Sequence, residues 1–542
     1  MRISNGLLGY QDHMENCTEA GFEIQELLRP AAFPHPVTHP ELRETHVSWI
    51  ILTGPVAYKI KKAQKLDFLD ASTLERRRHL CEEEIRLNKR LTPELYLDVI
   101  AITKDASGVH VGGSGSIVEY AVRMRQFDTE QELPALVARG EITVDEVTML
   151  AERLAEFHSR AAVAPQADSF DYVAQLRHSV LGNMATLLSH LDSSEQFPEL
   201  GMLIDWTHDS LHTFADRFRK RQQDGFVREC HGDLHAHNIV RWHGRLTPFD
   251  CLEFDPKLRW IDVMNDVAFL VMDFAALGRK DLAYAFLSRY VEHTGDYDGV
   301  RLLPFYAVYR AAVRAMVDAL SAEQHPARHV EFYERLQCRV RTAVDFMQSR
   351  SPTLFIMHGP SGSGKSWLSE RLVPRIQALR IRSDLERGRL AGAALAPNHS
   401  TFRHGVYAPE MTRRVYARLA SCAENCLLAG VNTIVDAAFL ETEQRRMFQD
   451  LADRLGVQFV IVSCMAEEQE MANRIAARRA AKKDPSEADA AVLEQQLRHL
   501  DPLQTDEQAY VTAVDTMQPD PAGAVMGNLR VRGADWAAGQ GR

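Results

Sequence analysis

The sequence predicts two domains, an α+β domain of two lobes followed by an α/β domain with a parallel sheet. Three observations carry that expectation. The chain has 542 residues and 45% apolar content, more than one ordinary core uses. Up to about residue 125 short strand-like runs around Gly-containing turns flank one helical segment; apolar residues recur at helical spacing from 141 to about 225 and again after the strand–loop–strand around HGDLHAHNIV, to about 349. Then TLFIMH (353–358) reads as a strand and runs through Gly359, Pro360, Ser361, Gly362, Ser363, Gly364, Lys365 and Ser366 into a helical pattern. The expected divisions are a first domain over 1–350, with a small lobe to about 125 and a large lobe from about 126. A second domain follows over 351–517, and a flexible Gly/Ala-rich tail over 518–542.

In the small lobe, HVSWIILTG (46–54) and VAYKIKK (56–62) read as two strands turning at Gly54-Pro55. Period two puts Tyr58 and Ile60 on one face and Ala57, Lys59 and Lys61 on the other. The next segment is a helix, with Ser72 and Glu75 as a capping box and Pro93 as its stop. Leu80, Leu87 and Leu91 share a face, and Glu84 sits inside that stripe. A carboxylate on a buried face needs a partner, and Lys59 is the expected one. IAIT and SIVEYAVRM are expected strands on either side of a hairpin.

HGDLHAHNIV opens the second half of the large lobe. Asp233 and Asn238 stand at D-x-x-x-x-N spacing, and Asp250 follows on the return strand TPFD. A tight loop aims the first two side chains at one point, and the returning strand delivers the third. Together they form a base and two Mg²⁺ ligands around the γ-phosphate of ATP. Lys59, held by Glu84, is the matching phosphate anchor. Asp262 and Asp266 begin the following helix; Asp266 is expected to brace the loop and do no chemistry.

In the second domain, Gly-x-x-x-x-Gly-Lys-Ser in strand–loop–helix context is a phosphate loop of the P-loop NTPase type. Backbone N–H groups and the helix N-terminus cradle phosphate oxygens. Lys365 neutralises the β/γ charge and Ser366 ligates Mg²⁺. Two later strands are expected to end in acids, ALRIRSD in Asp384 and VNTIVDAAF in Asp436, and in an open parallel sheet strand ends face the ligand. Asp436 is expected to hold Mg²⁺ through water, and Asp384 to take a proton from an acceptor hydroxyl. Arg474 and Arg478 lie in a basic segment suited to close over a triphosphate.

Bulk properties narrow the classes. A net charge of −11 argues against an extended nucleic-acid surface. Eight cysteines without a C-x-x-C pair read as reduced thiols rather than a zinc site. VAFLVMDFAALG, the longest apolar run, is too short for a bilayer and carries Asp273. No leader is read at the start, so the expected setting is cytoplasmic, without membrane association.

The first domain resembles the aminoglycoside phosphotransferase-like kinases, bilobal relatives of protein kinases. HGDLHAHNI matches their catalytic loop, and DCLE at 250–253 is a D-x-x-E variant that suits them. The segments AYKIKKAQKLDFLDASTLERRRHLCEEEIRLNKRLTPELY and DCLEFDPKLRWIDVMNDVAFLVMD resemble a narrower group. These are bacterial two-domain proteins that join such a domain to a zeta-toxin-like or shikimate-kinase-like P-loop kinase domain. The resemblance implies a protein-kinase-like fold and an ATP- and Mg²⁺-dependent phosphotransferase with two nucleotide sites, acting on a small-molecule hydroxyl. It implies Asp233 as base, Asn238 and Asp250 as metal ligands and Lys59 as phosphate anchor. It gives Asp384 the acceptor side and Arg474 or Arg478 the lid. Two rival readings are an ATPase whose P-loop drives a conformational change, and a regulatory or toxin–antitoxin-like module that binds nucleotide without turnover.

Overall fold

The computed structural model describes residues 22–66, 69–165, 170–191, 197–348, 351–392, 408–481 and 490–531. The chain forms two compact units, one of residues 1–279 with 304–348, the other of 280–303 with 349–542.

The first unit opens with six antiparallel strands: β1 (Glu41–Glu44), β2 (Ser48–Leu52), β3 (Val56–Lys61), β4 (Tyr96–Asp105), β5 (Gly108–Val111) and β6 (Ser116–Arg125). Their order in the sheet is β1-β2-β3-β6-β4-β5. Between β3 and β4 the chain forms α1 (Leu74–Asn88). Its N-cap is Thr73, whose side chain accepts from the Arg76 amide. The expected Ser72–Glu75 box does not form, because the Ser72 hydroxyl instead donates to Asp70. Alternation in β3 sends Tyr58 and Ile60 into an apolar cluster with Ile51 and Ile102. Lys59 and Lys61 point to the other face, where both are buried.

Beyond 125 the unit is mainly helical. Among its helices are α2 (Val144–Arg160), α3 (Val263–Ala276), α4 (Leu303–Gln324) and α5 (His329–Met347). A capping box of Thr143 and Glu146 starts α2, and Leu150, Leu154 and Phe157 bury its inner face. Asp262 caps α3, which is buried on nearly every side. A hairpin of β7 (Ile239–Trp242) and β8 (Arg245–Pro248) follows the expected catalytic loop; β8 is the return strand, and Asp250 lies two residues past its end.

The second unit is built on five parallel strands. They are β9 (Thr353–His358), β10 (Ala378–Arg382), β11 (Asn432–Asp436), β12 (Gln458–Met465) and β13 (Val511–Asp515), in the order β10-β11-β9-β12-β13. Around them run α6 (Lys365–Ile376), α7 (Ser383–Ala391), α8 (Pro409–Leu428), α9 (Thr442–Leu455), α10 (Glu468–Ala481), α11 (Ala490–Arg498) and α12 (Pro521–Val531). Strands added early go to one side of β9 and later ones to the other. The C-terminal ends beside β9 therefore open the crevice expected of such a sheet.

Two domain expectations are corrected. Residues 280–303 belong to the second unit rather than the first. β10 is a sheet edge, and an edge leaves backbone groups unpaired. At Arg380 this segment covers them: the amide donates to Ser288 Oγ at 3.0 Å, and Tyr297 Oη donates to the carbonyl at 3.1 Å. The Arg380 guanidinium forms a buried pair with Glu292 at 2.8 and 3.0 Å. The expected tail is also not all tail. α12 packs Ala522, Val525 and Leu529 into the core with Leu368 and Leu372 of α6, so the Gly/Ala content there serves close helix packing.

Candidate functional site

In the first unit, three distant stretches deliver charges to one buried cluster. β3 supplies Lys59 and Lys61, α1 supplies Glu84, and the segment after β8 supplies Asp250 and Glu253. Lys59 Nζ donates to Glu84 at 2.8 Å and to Asp250 at 2.6 Å. Lys61 bridges the other Glu84 oxygen and Glu253. Three carboxylates thus share two ammonium groups, and Glu84 alone touches both. Burial opposes its charge, but Lys59 and Lys61 override that and hold its carboxyl below the usual carboxylate range. Asp250 is paired with Lys59. Burial, with Glu84 and Glu253 close by, pushes its carboxyl upward. Its backbone is also unusual, at φ 63 in the left-handed region. Tyr96 Oη accepts its amide, and Asn88 accepts that of Cys251.

The loop carrying Asp233 is held from α3. Asp266 accepts the amides of His231 at 2.9 Å and Gly232 at 3.0 Å, the bracing role read for it in the sequence. Asp273 lies seven residues on, two turns along the same face. It accepts the Ala236 amide at 2.8 Å and is paired with Arg339 at 2.5 Å. Asn238 donates from Nδ2 to the Asp233 carbonyl at 2.9 Å and to its carboxylate at 3.2 Å. Its amide oxygen is thereby turned away from Asp233. The structure brings Lys59, Glu84 and Asp250 into one contact network, and Asp233 and Asn238 into another. Lys61, Glu253 and Asp273 were not singled out as site residues. Period two had put Lys61 on the Lys59 face, and D-x-x-E had marked Glu253, but neither signal reported burial.

In the second unit, Gly359, Gly362 and Gly364 all take positive φ. At Gly359 a Cβ would stand 2.7 Å from the Cys464 carbonyl oxygen, so the loop's entry tolerates only glycine. The loop opens on a cavity of about 1100 Å³. Lys365, Ser366, Asp384, Asp436 and Arg474 all line it, and so do Arg387 and Arg413. Lys365 Nζ donates to the loop's own Pro360 carbonyl at 2.7 Å. Asp436, last in β11, accepts from Ser369 Oγ at 3.2 Å. Asp384 lies in the first turn of α7, two residues past the end of β10. Arg474 Nη1 donates to Thr516 Oγ1 at 2.9 Å and to the Gly362 carbonyl at 3.3 Å, which fixes it over the loop. Gln496 was unforeseen: it accepts the Ser361 amide at 2.7 Å. The side chain of Arg478 lies outside the described residues.

Both sites offer oxygen donors, the chemistry a hard divalent cation takes: Asn238 and Asp250 in the first, Ser366 and Asp436 in the second. Among the described residues no helix is long and apolar enough to cross a membrane. Cys81, Cys230, Cys251, Cys338, Cys422, Cys426 and Cys464 are free thiols.

The chain is similar to uncharacterized proteins of Mycobacterium tuberculosis and Mycobacterium bovis. Each is 31% identical over 464 residues, covering 85% of this chain and 91% of the relative. A family model described as an AAA domain matches residues 354–503. Among solved structures, a gluconokinase from Sinorhizobium meliloti aligns with 34% of this chain and 95% of its own, at 18% identity and TM-score 0.26. A choline kinase from Cryptosporidium parvum aligns with 56% and 88%, at 11% identity and TM-score 0.35.

Proposed function

We propose that this chain, which belongs to the same family as the uncharacterized Mycobacterium tuberculosis protein, is a cytoplasmic ATP- and Mg²⁺-dependent phosphotransferase with two nucleotide sites. Each site moves the γ-phosphoryl group to a small-molecule hydroxyl. One observation carries the reading for the first unit: Lys59 is fixed between Glu84 and Asp250, a strand, a helix and a return segment meeting at one ammonium group. An anchored lysine of this kind neutralises phosphate charge without reorganising as it does so.

In the first site, Asp233 receives the proton of the acceptor hydroxyl. The acceptor oxygen forms a bond to Pγ as the bond from Pγ to the β-bridging oxygen breaks, and ADP leaves with that oxygen. Asn238 keeps Asp233 oriented through its two bonds to that residue. Asn238 and Asp250 would hold the magnesium, which neutralises phosphate charge when bound. In the second site, the loop amides and Lys365 receive the phosphates, and Ser366 and Asp436 would hold the metal. Asp384 receives the acceptor proton, and Arg474 supplies a cation beside the loop.

The test is an ADP-release screen over hydroxylated metabolites with the full-length chain, Asp233→Ala, Lys365→Ala and the double variant. Each single variant should lose one acceptor-dependent activity by about 10²–10⁴-fold. Lys365→Ala alone should lower the number of ATP bound per chain from two to one. Full activity in the double variant would sink the reading. ADP release that needs no acceptor would favour an ATPase, and ATP binding without any ADP release would favour a binding module.

A further inference from the structure

One buried cation beside the catalytic loop has no role in the scheme above. Arg314, on α4, is 7% exposed, and its Nε and Nη1 are buried without a hydrogen-bond partner. The other buried arginines of the first unit all have partners. Arg77 pairs with Glu119, Arg221 with Asp262, Arg259 with Glu229 and Arg339 with Asp273. Arg310 donates to Asn265 at 2.7 Å. Buried guanidinium N–H groups without acceptors are costly to keep, and a fold without use for them is better served by an apolar residue.

The position of Arg314 suggests its use. Arg310, one turn earlier on the same face, stacks over Phe269 at 4.7 Å, and Phe269 packs against the His235 ring at 5.5 Å. That face of α4 therefore backs the loop between Asp233 and Asn238. Asp273 would be the natural partner, but its oxygens are engaged by Arg339 and the Ala236 amide. The charges acting most on Arg314 are Arg339, Asp273, Asp318 and Asp233, rather than those of the Lys59 cluster. It thus stands on the Asp233 side of the site, away from the phosphate anchor.

We propose that Arg314 is the oxyanion-binding residue of the first site. Its partner is a carboxylate or phosphate group that the acceptor carries beside the hydroxyl presented to Asp233. The proposal rests on the phosphotransferase reading, and it narrows the acceptor to anionic alcohols such as sugar phosphates or hydroxy acids.

The experiment uses full-length protein carrying Lys365→Ala, so that the P-loop is silent, with inorganic phosphate as the probe. Binding is followed by phosphorus NMR line width and by thermal melting, with ADP or a non-hydrolysable ATP analogue present. Phosphate should bind alongside either nucleotide. Arg314→Leu should weaken it at least ten-fold, and Arg314→Lys by less. Without phosphate, Arg314→Leu should melt at or above the parent temperature, because it removes buried donors that lack acceptors. Unchanged phosphate binding in Arg314→Leu overturns the proposal. So does a sharp fall in melting temperature in both variants without phosphate, which would make Arg314 a structural cation. Phosphate displaced by the ATP analogue but not by ADP would assign the oxyanion to the nucleotide, and the acceptor claim falls. Arg314-dependent phosphate binding with no ADP release from any anionic alcohol would keep the oxyanion site and defeat the phosphotransferase reading instead.

Discussion

Two candidate phosphate sites in one chain are built from opposite materials. In the first unit the charges are side chains from β3, α1 and the segment after β8, and they are buried against one another before any ligand arrives. In the second, the main instrument is backbone: a glycine-shaped loop at the mouth of a wide cavity, with few side chains committed. A side-chain site costs desolvation and recovers it only while every partner is present. A backbone site costs conformational strain and is indifferent to most side-chain changes around it. The two should therefore fail differently.

The largest expected effect follows from the first half of that contrast. Lys59→Met leaves Lys61 as the one ammonium facing Glu84, Asp250 and Glu253. Losing one partner of a buried cluster costs about 3–5 kcal/mol, seen as a fall in the melting temperature of the first unit at pH 7. Acidification toward pH 5 should restore part of it, because carboxylates left without counter-charge bind protons more readily folded than unfolded. ATP binding at the P-loop should not change. An unaltered melting curve would show that the cluster is not cooperative.

The second unit has a feature of the same kind beside its loop, where Arg380, paired with Glu292, also donates to the Ser366 carbonyl at 3.1 Å. Arg380→Met leaves Glu292 with the Ser288 hydroxyl at 3.4 Å and Arg289 at 3.8 Å, and should cost about 3 kcal/mol, measured by urea unfolding. If residues 280–303 were merely laid against β10, the cost would be near zero. Gly359→Ala tests the backbone side. The strain and the contact with the Cys464 carbonyl should cost about 1–3 kcal/mol and lower ATP affinity at that site alone by about ten-fold. Normal affinity would mean that the loop's shape is not its instrument.

The same contrast sets what could be read in the sequence. The loop is contiguous, so Gly359 to Ser366 announces itself, and β9 and α6 come with it. The first site is legible only where spacing is fixed by local geometry: Asp233 and Asn238 on one loop, Lys59 and Lys61 alternating on one strand, Glu84 in a helical stripe. That Lys61 and Glu253 are buried together depends on how separate segments pack, and no window of sequence contains it. Asp273 reads in the sequence only as a charge carried by an apolar run, since its partner, the Ala236 amide, is 37 residues away. The covering of β10 by 280–303 was hidden for a similar reason. The Ser-Pro break after 350 marks where a linker is easy, whereas an edge strand's need for cover leaves no mark on the strand itself. β13 and α12 went unread because Val511–Asp515 is short and flanked by polar residues, and α12 is rich in Gly and Ala.

The smallest effect at neutral pH is the one with the clearest pH signature. His358 ends β9 immediately before the loop, 6% exposed. Its Nδ1 lies 3.1 Å from Ser463 Oγ, and its Nε2 is buried without a hydrogen bond. Burial first, then the Arg445 and Lys365 charges, push it down to about 4 from an ordinary 6.5. The folded unit therefore refuses a proton that the unfolded chain accepts between those values. Above pH 6.5 neither state is protonated and the residue contributes nothing to the pH dependence. As pH falls from 6.5 toward 4, stability is lost, by up to roughly 3 kcal/mol at full extent. His358→Gln removes the titrating group, so the second unit's unfolding free energy should run flatter than the parent's across that window. Above it, the two curves should differ only by a constant. Parallel curves throughout would mean that the imidazole is protonated in the folded state, and that the ground directly behind the loop is not as dry as its packing implies.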